Sequence, residues 1–228
     1  MPNLSRFNPF RYFHPRRKKK GISAVDLGSE DTFGEIRRFS EKPGRALEGV
    51  SLSFAGVPER SLKERERKGA LNSESSIALV PARIEKRVEE YPANTMPHFR
   101  MSYVLSRLPA ESVTELFGSK RAFAKIAREV YRALVPGGRF RIVDFRDSIE
   151  RTVRTLEEAG FEVRRWPADE SVYKDGRLPT YWQQYYADEA KKEVEEENKR
   201  RAARGESKMM KKEESEKWPW VLVAVKRK

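Results

Sequence analysis

Short apolar runs alternate with helical patterns along most of the chain. Ile22 to Leu27 predicts a buried strand, and Asp31 to Ser40 a helix with Phe33, Ile36 and Phe39 on one face. A second strand is expected from Ala46 to Leu52, then a highly charged helix from Pro58 to Leu71 with Pro in its first turn. Ser76 to Val80 predicts a third strand, Ala82 to Glu90 a short helix, and His98 to Val104 a weaker fourth strand. Ser119 is placed to cap a strong helix. Its apolar face is Ala122, Phe123, Ile126, Ala127, Val130, Tyr131 and Leu134, spaced three and four apart. Pro136-Gly137-Gly138 should stop that helix, and Arg139 to Phe145 reads as a fifth strand. Ser148 is the expected cap of a further helix, with Ile149, Val153 and Leu156 inward and Gly160 as its stop. Phe161 to Trp166 and Trp218 to Val225 complete the strands. Alternation of this kind implies a mainly parallel sheet with helices on both faces.

Two segments break the pattern. In residues 1–20, Arg6, Arg11, Arg16, Arg17, Lys18, Lys19 and Lys20 interleave with Phe7, Phe10, Tyr12 and Phe13, and no acid is present. Cations in such a tail can track phosphates while the aromatics stack on bases or fill a partner's pocket. The alternative is that the aromatics pack on their own domain and the basic run is solvated. Residues 171–217 open with Tyr173, Tyr181, Trp182, Tyr185 and Tyr186, then become charged and helix-prone from Ala187 to Lys217. With so few apolar positions, that second part is expected to project into solvent or to meet a protein partner. The division is therefore a tail (1–20), an α/β core (21–170), an insertion (171–217) and the last strand of the core (218–228).

Composition narrows the classes of function. Forty-eight basic against thirty-five acidic residues give a net charge of +13, which favours polyanions, nucleic acid before anionic membrane. The same balance serves solubility, and 36% charged residues resemble a thermophile surface rich in ion pairs. The chain has no cysteine and only His14 and His98, so thiolate chemistry and a multi-histidine metal centre are not expected. No uninterrupted apolar run is long enough to span a membrane. The basic N-terminus has no apolar stretch after it, so the expected address is cytoplasmic.

Several fragments resemble class I S-adenosylmethionine-dependent methyltransferases. "REVYRALVPGGRFRIVDF" is similar to that family's helix, turn and fifth strand, and "LEEAGFEVRRW" to its next helix and sixth strand. "WPWVLVAVKRK" is similar to its last strand, and "MSYVLSRLP" to its fourth strand and following loop. The resemblance covers roughly residues 21–170 and 218–226. It implies an α/β, Rossmann-like sheet of seven strands with helices on both faces. Six strands run parallel, and an antiparallel seventh is inserted beside the fifth. S-adenosylmethionine is the cofactor implied if the chain is active, and none otherwise.

The resemblance also locates the donor site, and there the sequence departs from the family. Members carry an acidic-x-Gly-x-Gly-x-Gly turn after strand one. Here Asp26 and Gly28 match, but Glu30 and Thr32 stand at the second and third glycines. A Cβ at those positions would crowd a ligand that the glycines let approach. Ser51 takes the place of the acid that accepts from the ribose hydroxyls, with Glu48 within a slip of the alignment. Arg83 takes the place of the Asp that accepts from the adenine amine, with Glu85 nearby, and arginine has donors only. Losing two charge-assisted acceptors plus crowding removes about 4 kcal/mol, about a thousandfold in affinity. The Asn/Asp-Pro-Pro-aromatic tetrapeptide of nucleobase amine methylation is replaced by Met101-Ser102-Tyr103-Val104.

Two functions stay open, with a regulatory subunit that pairs with an active methyltransferase as a third. One is a methyltransferase-fold platform with a lost or weakened donor site that binds RNA or a ribonucleoprotein. The other is a working methyltransferase with an unusual donor site, acting on RNA, protein or a small molecule. Tyr103, His98 and Asp144 are candidates for lining or orienting a pocket, against packing roles for each.

Overall fold

The computed structural model describes residues 21–28, 43–70, 73–102, 113–167, 180–211, 214–215 and 218–227; the side chains of 113–120, 145–148 and 180–187 are not described. The helix expected at 31–40 and the basic tail lie outside these residues, as do Glu30, Thr32 and Tyr103.

The elements are β1 (Ala24–Leu27), β2 (Ala46–Val50), α1 (Glu59–Gly69), β3 (Ser76–Val80), α2 (Ile84–Arg87), β4 (Met96–Ser102), α3 (Val113–Ala133), β5 (Leu134–Phe145), α4 (Arg146–Glu158), β6 (Phe161–Pro167), α5 (Thr180–Ala203) and β7 (Pro219–Lys226). They form one seven-stranded sheet in the order β3-β2-β1-β4-β5-β7-β6. β1 to β5 pair in parallel, while β7 runs antiparallel to both β5 and β6. This is the arrangement the sequence implied.

The larger core lies on one face. Val25, Leu27, Phe99, Met101, Phe140, Ile142, Leu222 and Ala224 of the sheet meet Phe123, Ile126, Ala127 and Val130 of α3 and Ile149 and Leu156 of α4. A smaller cluster of Ala24, Leu47, Ile77, Leu79 and Phe54 packs on the opposite face, with Leu62 of α1 against it. β3 is an edge strand, and Glu66 of α1 accepts a hydrogen bond at 2.9 Å from its Leu79 N–H. That covers part of an edge that would otherwise offer a free donor.

Several boundaries differ from expectation. The helix expected from Ser119 starts at Val113, so Ser119 lies inside α3 rather than capping it. Ser148 likewise lies inside α4, because the chain turns helical directly after β5. Residues Val88–Glu90 tighten into a 3-10 turn after α2, just before Pro92. Pro136-Gly137-Gly138 does not end a helix: α3 stops at Ala133, and Leu134 already pairs with Met96 of β4. From there β5 advances five residues to Arg139 (139 − 134) while β4 advances two to His98 (98 − 96). The Pro-Gly-Gly segment is the bulge that absorbs the difference, with Gly137 at φ 79°.

The charged run after residue 187 does not stay helical to Lys217. α5 ends at Ala203, where Gly205 takes φ 72° and the N–H groups of Gly205 and Glu206 return to the carbonyls of Ala202 and Arg201. This is a Schellman termination. The chain then doubles back along the helix. Asn198 exchanges two hydrogen bonds with the Met210 backbone, and Ser215 Oγ donates to Glu193 at 2.8 Å.

Candidate functional site

Parallel strands end together at one edge of the sheet, and ligands of open α/β sheets bind there, where the strand order reverses. The reversal falls between β1 and β4. Three strand ends are aligned by backbone hydrogen bonds. Gly28 N–H donates to Val50 O at 2.8 Å and Ser51 N–H to Val80 O at 3.1 Å, which ties the ends of β1, β2 and β3 together. Gly28 turns the chain out of β1 with φ 82°, a conformation that suits glycine. Asp26 is buried and sits in register with Gly49 of β2 and Arg100 of β4. The structure thus brings Asp26, Gly28, Ser51 and Arg83 to one edge.

Two of these positions are engaged locally. Ser51 caps the 3-10 turn Leu52–Phe54, and its Oγ accepts from Ser53 N–H at 3.1 Å and lies 2.8 Å from Ser53 Oγ. Arg83 precedes α2 with its side chain 66% exposed and paired to Glu85. That pairing engages Glu85 as well, and Arg83 does not fill the crevice. Glu48 is one strand residue short of Gly49 and so faces the opposite side from Asp26. Arg87 Nε and Nη2 each donate to its carboxylate at 2.8 Å, and the Tyr91 hydroxyl donates to it as well. Glu48 is therefore not available to accept from a ribose. Among the described residues at this edge, Ser51 and Arg83 offer no carboxylate to a ribose or an adenine, while Asp26 and Gly28 are in place at the β1 end.

Other candidates fall elsewhere. His98 is half-buried, four positions before Ser102 and so about 13 Å back from the ligand edge. Burial, then Arg100, Arg139 and Arg45, hold its imidazole below the usual histidine range. Asp144 is fully buried beside Trp220 in the β5–β7 ladder. Among the described residues, Ser102 Oγ and Trp220 Nε1 are buried without a hydrogen-bond partner. Among the described residues, no group of acidic or histidine side chains could hold a metal ion, and no helix is long and apolar enough to cross a membrane. The basic tail residues Arg6 to Lys20 lie outside the described chain.

Solved structures of similar fold include the cyclase SpnF, at 16% identity and TM-score 0.52 over 91% of this chain and 75% of that one. A SAM-dependent methyltransferase from Methanosarcina mazei matches at 12% identity and TM-score 0.51 over 92% and 94%. Another, from Archaeoglobus fulgidus, matches at 13% and 0.51 over 91% and 87%. The chain has the class I methyltransferase fold. No protein-family model matches the sequence, and no curated protein does. A cyclase stands beside two methyltransferases in that set, so the methyltransferase fold leaves the chemistry to be argued from the site.

One feature of the methyltransferase-fold sheet escaped the sequence reading. On β4, β5 and β6 the face opposite the main core carries His98, Arg100, Arg139, Arg141 and Arg164. The signal was present as strict alternation: His98-Phe99-Arg100-Met101 and Arg139-Phe140-Arg141-Ile142. Parallel strands buried on both faces read as continuous apolar runs, so alternation here marks one polar face.

Proposed function

We propose that this chain keeps the methyltransferase fold as a rigid platform with a lost or weakened donor site, and that its basic surfaces bind RNA or a ribonucleoprotein. One observation carries the first half. The end of β2 offers the neutral Ser51, already engaged with Ser53, while the nearest β2 carboxylate, Glu48, is locked to Arg87 on the other side of the sheet. A neutral hydroxyl is a weaker acceptor for ribose hydroxyls than a carboxylate. The second half draws on the +13 charge and on the tail residues Arg6, Arg11, Arg16, Arg17, Lys18, Lys19 and Lys20.

Calorimetric titration with S-adenosylmethionine tests the donor site. No heat of binding at millimolar donor is the expected result, and micromolar affinity overturns the reading. Ser51→Asp should move the protein toward measurable binding, because it returns an ionised acceptor to the end of β2. For RNA, affinity should fall steeply with salt, and deletion of residues 1–20 should flatten that slope.

A second reading is a working methyltransferase with an unusual donor site, using S-adenosylmethionine as its cofactor. It is favoured by Asp26 and Gly28 in place at the β1 end and by the unpaired Ser102 Oγ at the β4 end. The same titration decides between the two.

A further inference from the structure

The arm formed by α5 and the segment that returns along it sorts its charges by sign. From Asp188 to Glu197, six acids stand against Lys191 and Lys192. From Asn198 to Lys211, six cations stand against the single acid Glu206. The fold gathers that second stretch at one end. α5 stops at Ala203, the Arg201 guanidinium donates to Lys208 O at 3.3 Å, and Asn198 Nδ2 donates to Met210 O at 3.1 Å. The other end is anchored. Ser215 Oγ reaches Glu193, and Ala190 packs on Trp218, next to Pro219, which pairs with Phe145 at the end of β5. Thirteen residues separate Ala190 from Ala203 (203 − 190), so the basic end stands about 20 Å along the helix from this anchor at the ligand edge.

Ion pairing within the arm leaves cations over. Glu189 pairs with Lys192, Glu195 with Lys191, and Glu196 with Arg200. Glu197 takes Arg201 and Arg204, and Glu206 pairs with Arg204 as well. Glu214 accepts from the backbone N–H of Lys211 at 3.2 Å. Lys199, Lys208 and Lys211 are exposed, and among the described residues their ammonium groups make no ion pair or hydrogen bond. Cations in the last turn complement the helix dipole, which accounts for Lys199. Lys208 and Lys211 follow the helix and are not accounted for in that way. Solubility is served by interspersed signs and does not require sorting them to two ends.

We propose that this end of the arm binds the phosphate backbone of RNA through Lys199, Lys208 and Lys211. The groups left over are lysines, whose flexible stems and single charges follow phosphates without reading bases. The acid-rich end repels a polyanion, which confines the contact to the basic one. Met209 is the one large exposed apolar side chain among the described residues of this end. That is too little for the apolar core of a protein interface or for an apolar face in a membrane. The proposal rests on the RNA-binding reading above, and it assigns the contact to the arm rather than to the tail.

Fluorescence anisotropy of the full chain with a labelled single-stranded oligouridine, measured over a range of salt, tests it. Lys199→Gln with Lys208→Gln and Lys211→Gln should weaken binding about a hundredfold at 0.1 M salt. The same variant should lower the log–log salt slope by about 2, at about 0.7 per lysine. Lys63→Gln with Lys68→Gln and Lys191→Gln removes the same net charge from exposed positions elsewhere. It should change affinity by less than about threefold and leave the slope as it was, because distant charges are screened. Unchanged thermal unfolding of both triple variants confirms that the fold is kept. Equal losses in the two would mean that binding follows net charge, and would overturn the site. If the arm variant keeps affinity and slope while deletion of residues 1–20 removes binding, this inference fails and the tail carries the RNA reading. If the wild-type chain does not bind the oligonucleotide, both fail. Binding of labelled polyglutamate as tight as that of the oligonucleotide, lost in the arm variant, would assign this end to an acidic protein instead.

Discussion

At the scale of single residues, the decisive group is Glu48. It is buried in the middle of β2, and Arg87 holds it through two hydrogen bonds of 2.8 Å. Arg87 also pairs with Glu90 and stacks 5.0 Å from the centre of the Tyr91 ring. Hydrogen bonding to Glu48 raises the guanidinium pKa further, so Arg87 is charged at any pH the fold survives. Burying two charges costs several kcal/mol each, which a well-formed pair offsets but a broken one does not. Glu48→Gln should therefore cost about 3–5 kcal/mol of unfolding free energy, while Glu48→Leu with Arg87→Met should recover most of it. Denaturant unfolding of the two variants decides, and equal losses would show that the pair is not coupled. The Tyr91 hydroxyl adds a pH dependence. Burial, then Glu48, push its pKa up. Below about pH 10 the phenol is protonated whether folded or not, so its contribution is complete. As pH rises further the unfolded chain loses the proton first, and stability falls. Tyr91→Phe should remove that part of the alkaline loss. Because Glu48 is spent on this structural pair, it cannot double as a ribose acceptor, and the candidate site depends on Ser51 alone at the end of β2.

At the scale of elements, the joint between α3 and β5 ties the helix layer to the centre of the sheet. A Cβ added at Gly138 would lie 2.8 Å from Val135 O, 2.9 Å from Leu134 Cδ2 and 3.2 Å from Pro97 O. Gly137 has open space around it, but its φ of 79° penalises most side chains. Two different causes predict two different rescues. Gly138→Ala and Gly137→Ala should each cost about 1–2 kcal/mol, lowering Tm by several degrees. Gly137→Asn should recover part of its loss, since Asn tolerates that conformation, whereas Gly138→Asn should be worse than Ala. Thermal melts of the four variants check it, and a rescue at Gly138 would contradict the crowding. Lys226 fastens the same joint from β7, donating to Asn94 Oδ1 at 2.8 Å and to Leu134 O at 2.9 Å. This joint also shows how much was legible in the sequence. Apolar periodicity placed every strand and gave the helices that cover the main core, because those patterns are set by burial. It misread Pro-Gly-Gly as a helix stop, because a bulge and a stop use the same residues and differ only in what pairs before them. It carried the arm past Ala203, because nothing in a charged run marks the residue where the chain turns except the single Gly205. In the candidate site the positions of Asp26, Gly28, Ser51 and Arg83 were legible by resemblance. The sequestration of Glu48 was not, because Arg87 and Tyr91 reach it from the far side of the sheet and from thirty-nine and forty-three residues away.

At the scale of the whole molecule, a +13 charge is carried on a sheet that is apolar on one face and, on the other, apolar over β1 to β3 with His98, Arg100, Arg139, Arg141 and Arg164 over β4 to β6. Local ion pairs and long-range repulsion therefore act in opposite directions, and salt separates them by distance. Exposed pairs such as Lys63–Glu59 and Lys191–Glu195 close at 2.7 and 3.9 Å. The repulsion of the net charge acts over the longer distances across the chain. The screening length is about 30 Å at 0.01 M salt and about 10 Å at 0.1 M. Over that interval the long-range repulsion is screened while contacts of a few ångströms persist. Single exposed pairs are in any case worth about 0–1 kcal/mol each. Net charge far from zero destabilises the compact state through self-repulsion. Tm at pH 7 should therefore rise from 0.01 to 0.1 M sodium chloride. Arg139→Gln, which removes one exposed positive charge without touching a core position, should raise Tm at the low end and shrink the rise. A differential scanning experiment at both salt concentrations measures each quantity. A Tm that falls with salt would mean that the ion pairs outweigh the repulsion, and that the basic face is already neutralised by the chain's own acids. A Tm that rises means that repulsion across the +13 chain outweighs its local ion pairs, and a bound polyanion such as RNA would relieve that repulsion.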